Sequence, residues 1–143
     1  MSIRQLTAFV ENRRGCLAEI TDLLAKNHID LRALSIADTK DFGILRLIVN
    51  DAEKALSVLR ENNILVQITE VIGVKLSDRP GELSAALAAL DRAGINVEYL
   101  YAFLTRNEKN AYVVLRVEDN EIACGILANA GFCMVDEAEL KNL

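Results

Sequence analysis

The chain has one proline, one histidine and no tryptophan among its 143 residues. The lone histidine, His28, leaves little for proton transfer or nucleophile activation near neutral pH, where enzymes use His or tuned carboxylate pairs. It also stands just past the last periodic residue of a helical pattern, the place of a solvent-facing cap. Three cysteines, Cys16, Cys124 and Cys133, form an odd set without CxxC spacing. That is neither a disulfide framework nor a zinc or iron–sulfur pattern. No apolar run approaches the roughly 18 residues of a membrane helix. The stretch MSIRQLTAFVENRRG lacks the apolar core of a signal peptide. Basic residues are scattered, with NRRG the only local pair, and the net charge is −5; nucleic-acid binding needs clustered Lys and Arg. The expectation is a cytoplasmic, non-enzymatic protein with no cofactor, no metal, no membrane and no nucleic-acid partner.

What is present is apolar and repetitive. A hydrophobic fraction of 52% is ample for a buried core. Sliding the sequence by 66 positions lays NRRGCLAEITDLLAKNHIDL on DRPGELSAALAALDRAGINV. Arg13/Arg79, Gly15/Gly81, Leu17/Leu83, Leu24/Leu90 and Ile29/Ile95 coincide. After a two-residue insertion, ILRLIVNDAEKALSVL lies on YVVLRVEDNEIACGIL. Two copies follow, residues 1–69 and 70–143.

Within a copy the hydrophobic period alternates between 2 and 3.6. In the first, strands are expected at Ile3–Val10, Leu31–Asp38, Ile44–Val49 and Ile64–Thr69. One helix carries Leu17, Ile20 and Leu24; a second carries Ala52, Ala55, Leu56 and Leu59, opened by Asn50 with Glu53 at capping-box spacing. The hairpin TKDFG joins the middle strands. The second copy repeats this with strands at Val71–Leu76, Asn96–Leu104, Ala111–Val117 and Phe132–Glu137, and the longer loop TRNEKN. The order βαββαβ predicts an α+β fold, two tandem ferredoxin-like sandwiches side by side. Val97, Tyr99, Tyr101 and Phe103 share one strand face, opposite in size to Leu31, Ala33, Ser35 and Ala37. Pairing of these two second strands into a continuous eight-stranded antiparallel sheet is expected, with Leu34, Ile36, Leu100 and Ala102 facing the helices.

The repeated element that carries chemistry is a corner: a strand end, a polar pair, a glycine and a helix N-terminus. Open backbone N–H groups with the helix dipole behind them favour a carboxylate. Gly15 and Gly81 leave room for close approach, and Pro80 suits the first helical turn. The next strand starts at Asp30 or Asn96. Asn12 with Asp30, or Asp78 with Asn96, offers one acid and one amide for an ammonium group, which suits a zwitterionic amino acid. The same residues also suit a plain cap and turn. Cys16 stands in a first turn, where a thiol pKa can fall, but no base is fixed beside it and its counterpart is Glu82.

DRPGELSAALAALDRAGINV resembles the signature of the ACT domain family, an (N/D)-x-P-G-x-L loop, a helix, then G-(I/V)-N-(I/V). The second copy matches through Asp78, Pro80, Gly81, Leu83, Gly94, Ile95, Asn96 and Val97. The first keeps Asn12, Gly15, Leu17, Ile29, Asp30 and Leu31, but has Arg14 for proline and His28 for glycine. The resemblance implies stand-alone tandem regulatory modules. These hold a free amino acid between the glycine loop of one domain and the second strand of a neighbour, and modulate a biosynthetic enzyme. Carried onto this chain, the ligand-binding residues are Asn12, Arg13, Gly15, Cys16, Leu17, Asp30, Leu31, Asp78, Arg79, Pro80, Gly81, Glu82, Leu83, Asn96, Val97 and Tyr99. The free sheet face, with Ile3, Phe9, Ile44, Ile48, Tyr112 and Val114, is apolar enough to be an interface. A homodimer, or docking of an adaptor onto a partner enzyme without a ligand, would use it. The βαββαβ order also occurs in RNA-recognition modules, but AYVVLRV lacks their basic, stacking segment.

Overall fold

The computed structural model describes residues 2–38, 41–105, 109–140 and 142–143. Parts of both expected hairpin loops, residues 39–40 and 106–108, lie outside the described residues. The elements are β1 (Ile3–Glu11), α1 (Cys16–Lys26), β2 (Leu31–Asp38), β3 (Phe42–Val49), α2 (Ala52–Glu61) and β4 (Leu65–Ser77). They continue with α3 (Glu82–Arg92), β5 (Tyr99–Ala102), β6 (Asn110–Arg116), α4 (Asn120–Asn129), β7 (Cys133–Val135) and the short α5 (Glu137–Leu140). The chain divides into two compact units, Arg4–Thr69 and Glu70–Leu143, the latter joined by Met1–Ile3.

In the first unit β2 pairs with β3, and β3 with β1, all antiparallel. The start of β4 follows β1 in the strand order, where Thr7 Oγ1 and Thr69 Oγ1 are 2.8 Å apart. In the second unit β6 lies between β4 and β5, and β7 pairs with the other edge of β4. Each unit thus has the ferredoxin-like order. The helices cover one face. Leu6, Ala8, Val10, Leu45 and Leu47 meet Ile20 and Leu24 of α1 and Ala55 and Leu59 of α2. In the second core Ile72, Val74, Val113 and Leu115 meet Ala86 and Leu90 of α3 and Ala123 and Leu127 of α4.

Four expectations need correction. The described strands number seven, because the last expected strand of the first copy and the first of the second are one continuous strand, β4. ITEVIGV holds no proline, asparagine or aspartate, and its one glycine, Gly73, stays in the ladder, paired with Val114 and Val135. An eight-stranded sheet through the second strands is absent among the described pairings, since β2 pairs with β3 and β5 with β6. Leu34 and Ile36 do share a face with their partners Leu47 and Leu45, but at the edge of the sheet they remain exposed, as does Leu100. Finally, the apolar sheet face is not free. Ile3, Ile48, Tyr112 and Val114 are at most 5% exposed within this one chain, and of the named residues only Phe9 is strongly exposed.

Candidate functional site

Both corners fold to the same hydrogen-bonded shape. The Asn12 N–H donates to the Asp41 carbonyl at 3.2 Å, and the Asp78 N–H to the Lys109 carbonyl at 3.2 Å. Cys16 N–H reaches the Arg13 carbonyl and Glu82 N–H the Arg79 carbonyl, each at 3.3 Å. Glu19 N–H reaches Gly15 and Ala85 N–H reaches Gly81, each at 2.9 Å. The glycines carry φ of 87° and 91°, a left-handed turn that strains any residue with a Cβ. A Cβ built on either would meet nothing within 4 Å, so the turn, and not crowding inside the chain, requires glycine. Pro80 lies ahead of this N-cap glycine and not in the first helical turn, because α3 starts only at Glu82.

The helices at these corners differ from the others in their capping. Asp51 accepts from the Lys54 N–H and Asp119 from the Ile122 N–H, each at 3.1 Å. The expected cap of α2, Asn50, is occupied elsewhere: its Oδ1 accepts from the Asp30 N–H at 2.9 Å. By contrast no side chain caps α1 or α3. The Cys16 and Glu82 N–H groups are taken by the Arg13 and Arg79 carbonyls, so an anion would meet the next donors of the first turn, with the dipole behind them.

The side chains around the two corners are not equivalent. Arg13 bonds Glu19 at 2.9 Å and Glu11 at 3.1 Å. The Arg13 guanidinium holds the Glu19 carboxyl below the usual carboxylate range, and Glu19 first, with Glu11, raises Arg13 in turn. Among the described residues Arg79 has one ion pair, to Glu82 at 2.8 Å, because Ser77 and Ala85 stand where the first copy has Glu11 and Glu19. A cleft of about 460 Å³ runs beside the first corner, lined by Arg13, Cys16, Glu19 and Asn62–Ile64. Its counterpart of about 380 Å³ is lined by Ser77, Arg79, Glu82, Asn110 and Ala130–Phe132. The segment after α2 or α4 was absent from the sequence reading. The loss of Glu11 and Glu19 between copies was the signal available for the difference.

Of the expected site residues, the structure gathers Asn12, Arg13, Gly15, Cys16 and Leu17 at one corner and Asp78, Arg79, Pro80, Gly81, Glu82 and Leu83 at the other. Cys16 is buried in the first core and Leu17 is exposed. Asp30, Leu31, Asn96, Val97 and Tyr99 are elsewhere in their units. Ser77 pairs with Asn110 at one end of β6, whereas Glu98 N–H and Tyr99 meet Arg116 at its other end. At about 3.3 Å per strand residue the two ends are about 20 Å apart. Asp78 and Asn96 of one unit therefore do not flank one ammonium group, and the same holds for Asn12 and Asp30 along β3. Asn96 instead lines a separate cleft of about 620 Å³ with Glu98, Arg116, Glu118 and Asp119. Tyr99 stacks on Tyr101 with centroids 6.4 Å apart. Among the described residues no group of three His, Cys, Asp or Glu side chains is placed to hold a metal, and no helix is long and apolar enough to cross a membrane.

Two ferredoxin-like units, each with a left-handed glycine at a helix N-terminus without a side-chain cap, define a tandem βαββαβ module. The chain belongs to the ACT domain pair family, whose model matches residues 1–143. It is similar to protein BT0572 from Bacteroides thetaiotaomicron, at 38% identity and a TM-score of 0.92 over 100% of this chain and 98% of that one. It shares its fold with the ligand-free regulatory subunit of aspartate kinase from Thermus thermophilus (17% identity, TM-score 0.64, 90% and 91% covered). Aspartokinase alpha and beta subunits also share it (16%, 0.60, 89% and 90%). Among curated proteins none matches.

Proposed function

We propose that this chain is a non-catalytic, cytoplasmic regulatory protein whose two ACT domains, residues 1–69 and 70–143, sense a free amino acid. The observation that carries this is the capping contrast: α2 and α4 are closed by aspartates, while α1 and α3 present uncapped N-termini behind identical glycine turns. An α-carboxylate fits such an N-terminus. The second corner is the favoured site. It carries the full motif, and Arg79 has one carboxylate partner where Arg13 has two. Asp78, exposed beside it, supplies the anion for an α-ammonium group. Because Asn96 lies at the far end of its own unit, a strand residue that completes this site belongs to another unit or another chain. Asp30 and Asn96 keep their proposed roles in that form, at the junction of two ACT domains. Binding would shift a homodimer or a biosynthetic-enzyme partner by the ligand's differential affinity for two states.

The test is a thermal-shift screen against the twenty amino acids, with Asp78→Ala and Asn12→Ala beside the wild type. Stabilisation by one chemically related group, lost in Asp78→Ala and kept in Asn12→Ala, is the expected result. Stabilisation that survives both substitutions would place the ligand elsewhere.

A further inference from the structure

The clefts beside the two glycine corners differ in the charge they leave unpaired. In the first, of about 460 Å³, the two cations of the wall, Arg13 and Lys26, are both taken. Arg13 is held by Glu11 and Glu19, and Lys26 by Asp22 at 2.9 Å. The second, of about 380 Å³, is lined by two cations, Lys75 and Arg79, and one carboxylate, Glu82. Glu82 takes Arg79. Lys75 is exposed and has no ion-pair partner among the described residues. At its position the first copy carries Phe9. β7 pairs with β4 only as far as Cys133 opposite Lys75, while β4 runs on to Ser77, so Lys75 stands where the partner strand stops. It is two strand residues, about 7 Å, from Ser77 at the corner.

We propose that the second cleft selects an amino acid with an acidic side chain, and that Lys75 is the residue that selects it. The proposal rests on the reading of the second corner as an amino-acid site and names the class of its ligand. With the α-carboxylate at the N-terminus of α3 and the ammonium group at Asp78, the side chain is left to a cleft whose one unanswered charge is positive. A neutral side chain leaves Lys75 unanswered, and a basic one adds a third cation to the wall. A carboxylate one or two methylenes from the α-carbon gives Lys75 a charge-assisted hydrogen bond. The rest of the wall offers Lys75 no internal substitute. Ala85, Ala130 and Gly131 line it where the first cleft has Glu19, Asn62 and Asn63, so three polar side chains of the first cleft are missing from the second. The first cleft, with its cations already paired, has no such preference.

The experiment is calorimetric titration of the full chain, and of Lys75→Gln and Lys75→Glu, with aspartate, glutamate, asparagine and glutamine. Lys75 is exposed, so neither substitution touches the core. The wild type is expected to bind one of the acids about tenfold tighter than its side-chain amide, with the margin shrinking as salt is raised. Lys75→Gln should weaken the acid and leave the amide unmoved, so that the two bind alike, and Lys75→Glu should reverse the order. If none of the twenty amino acids binds the wild type, the amino-acid reading of the corner fails and the proposal with it. If a neutral or basic amino acid binds in preference, and Asp78→Ala abolishes it, the corner reading stands and the proposal is overturned. An acid preference that survives Lys75→Gln unchanged overturns the role of Lys75.

Discussion

His28 occupies a backbone position that glycine holds in the second copy. After α1 the His28 N–H donates to the Ala25 carbonyl at 3.0 Å and the Ile29 N–H to Leu24 at 3.0 Å. After α3, Gly94 donates to Asp91 and Ile95 to Leu90, each at 2.9 Å. Both are the two-bond helix stop that requires a left-handed residue, and φ is 56° at His28 and 75° at Gly94. A residue with a Cβ pays about 1–2 kcal/mol there. Glycine offsets part of this through its freer unfolded chain, about 0.5–1 kcal/mol. His28→Gly is therefore expected to stabilise by about 0.5–1 kcal/mol, a Tm rise of about 1–4 °C for a chain of this size. Gly94→Ala should move the other way by about 1 kcal/mol, and since its Cβ would meet nothing within 4 Å, that loss is conformational. Calorimetric melts, with urea midpoints at unchanged m, give both numbers. A fall in Tm for His28→Gly would refute the reasoning, because it would mean that the imidazole contributes more than the left-handed backbone costs.

Removing the caps by Asp51→Ala or Asp119→Ala is expected to cost about 1 kcal/mol each in urea unfolding; no change in either would contradict the capping contrast on which the site is argued. Gly73→Ala places a Cβ 2.7 Å from Ile3 Cδ1 and 3.3 Å from Val135 Cβ. A loss of about 1–3 kcal/mol is expected, partly recovered by adding Ile3→Val, and a neutral Gly73→Ala would show that this packing is wrong. The Glu19 carboxyl, lowered by Arg13, gives a pair whose small stabilisation is full above the ordinary carboxylate range and is lost as pH falls through the lowered value. An NMR titration should place Glu19 below an ordinary glutamate and Arg13→Ala should return it; an unchanged midpoint would dismiss the clamp.

The fold was legible where a pattern is local. Period-2 and period-3.6 runs fix β2 at Leu31–Asp38 and set Leu17, Ile20 and Leu24 on one helix, and the 66-residue offset pairs the corners before any coordinate is known. Where two neighbours compete for one task, local pattern fails. Asn50 and Asp51 both suit a cap, and a hydrogen bond from Asp30, twenty positions away, decides between them. Burial fails in the same way. Alternation places Ile48 and Tyr112 on the face away from the helices, but only the folded chain shows that both are buried. The separation of Asp78 from Asn96 was derivable. Eleven helical residues rise about 16 Å, so α3 carries the chain to the opposite end of the sheet before the next strand begins.

The most direct measurement is a calorimetric titration of the full chain with a stabilising amino acid and with its α-amide, which keeps the ammonium group and removes the carboxylate. A site built on the open N-terminus of α3 predicts saturable binding of the acid, no detectable binding of the amide, and loss of binding in Asp78→Ala. Ligand at about 100 times its Kd should then add about 2.7 kcal/mol to stability. Equal binding of acid and amide, or no heat and no stabilisation with any of the twenty, would contradict the claim that the glycine corner is an amino-acid site.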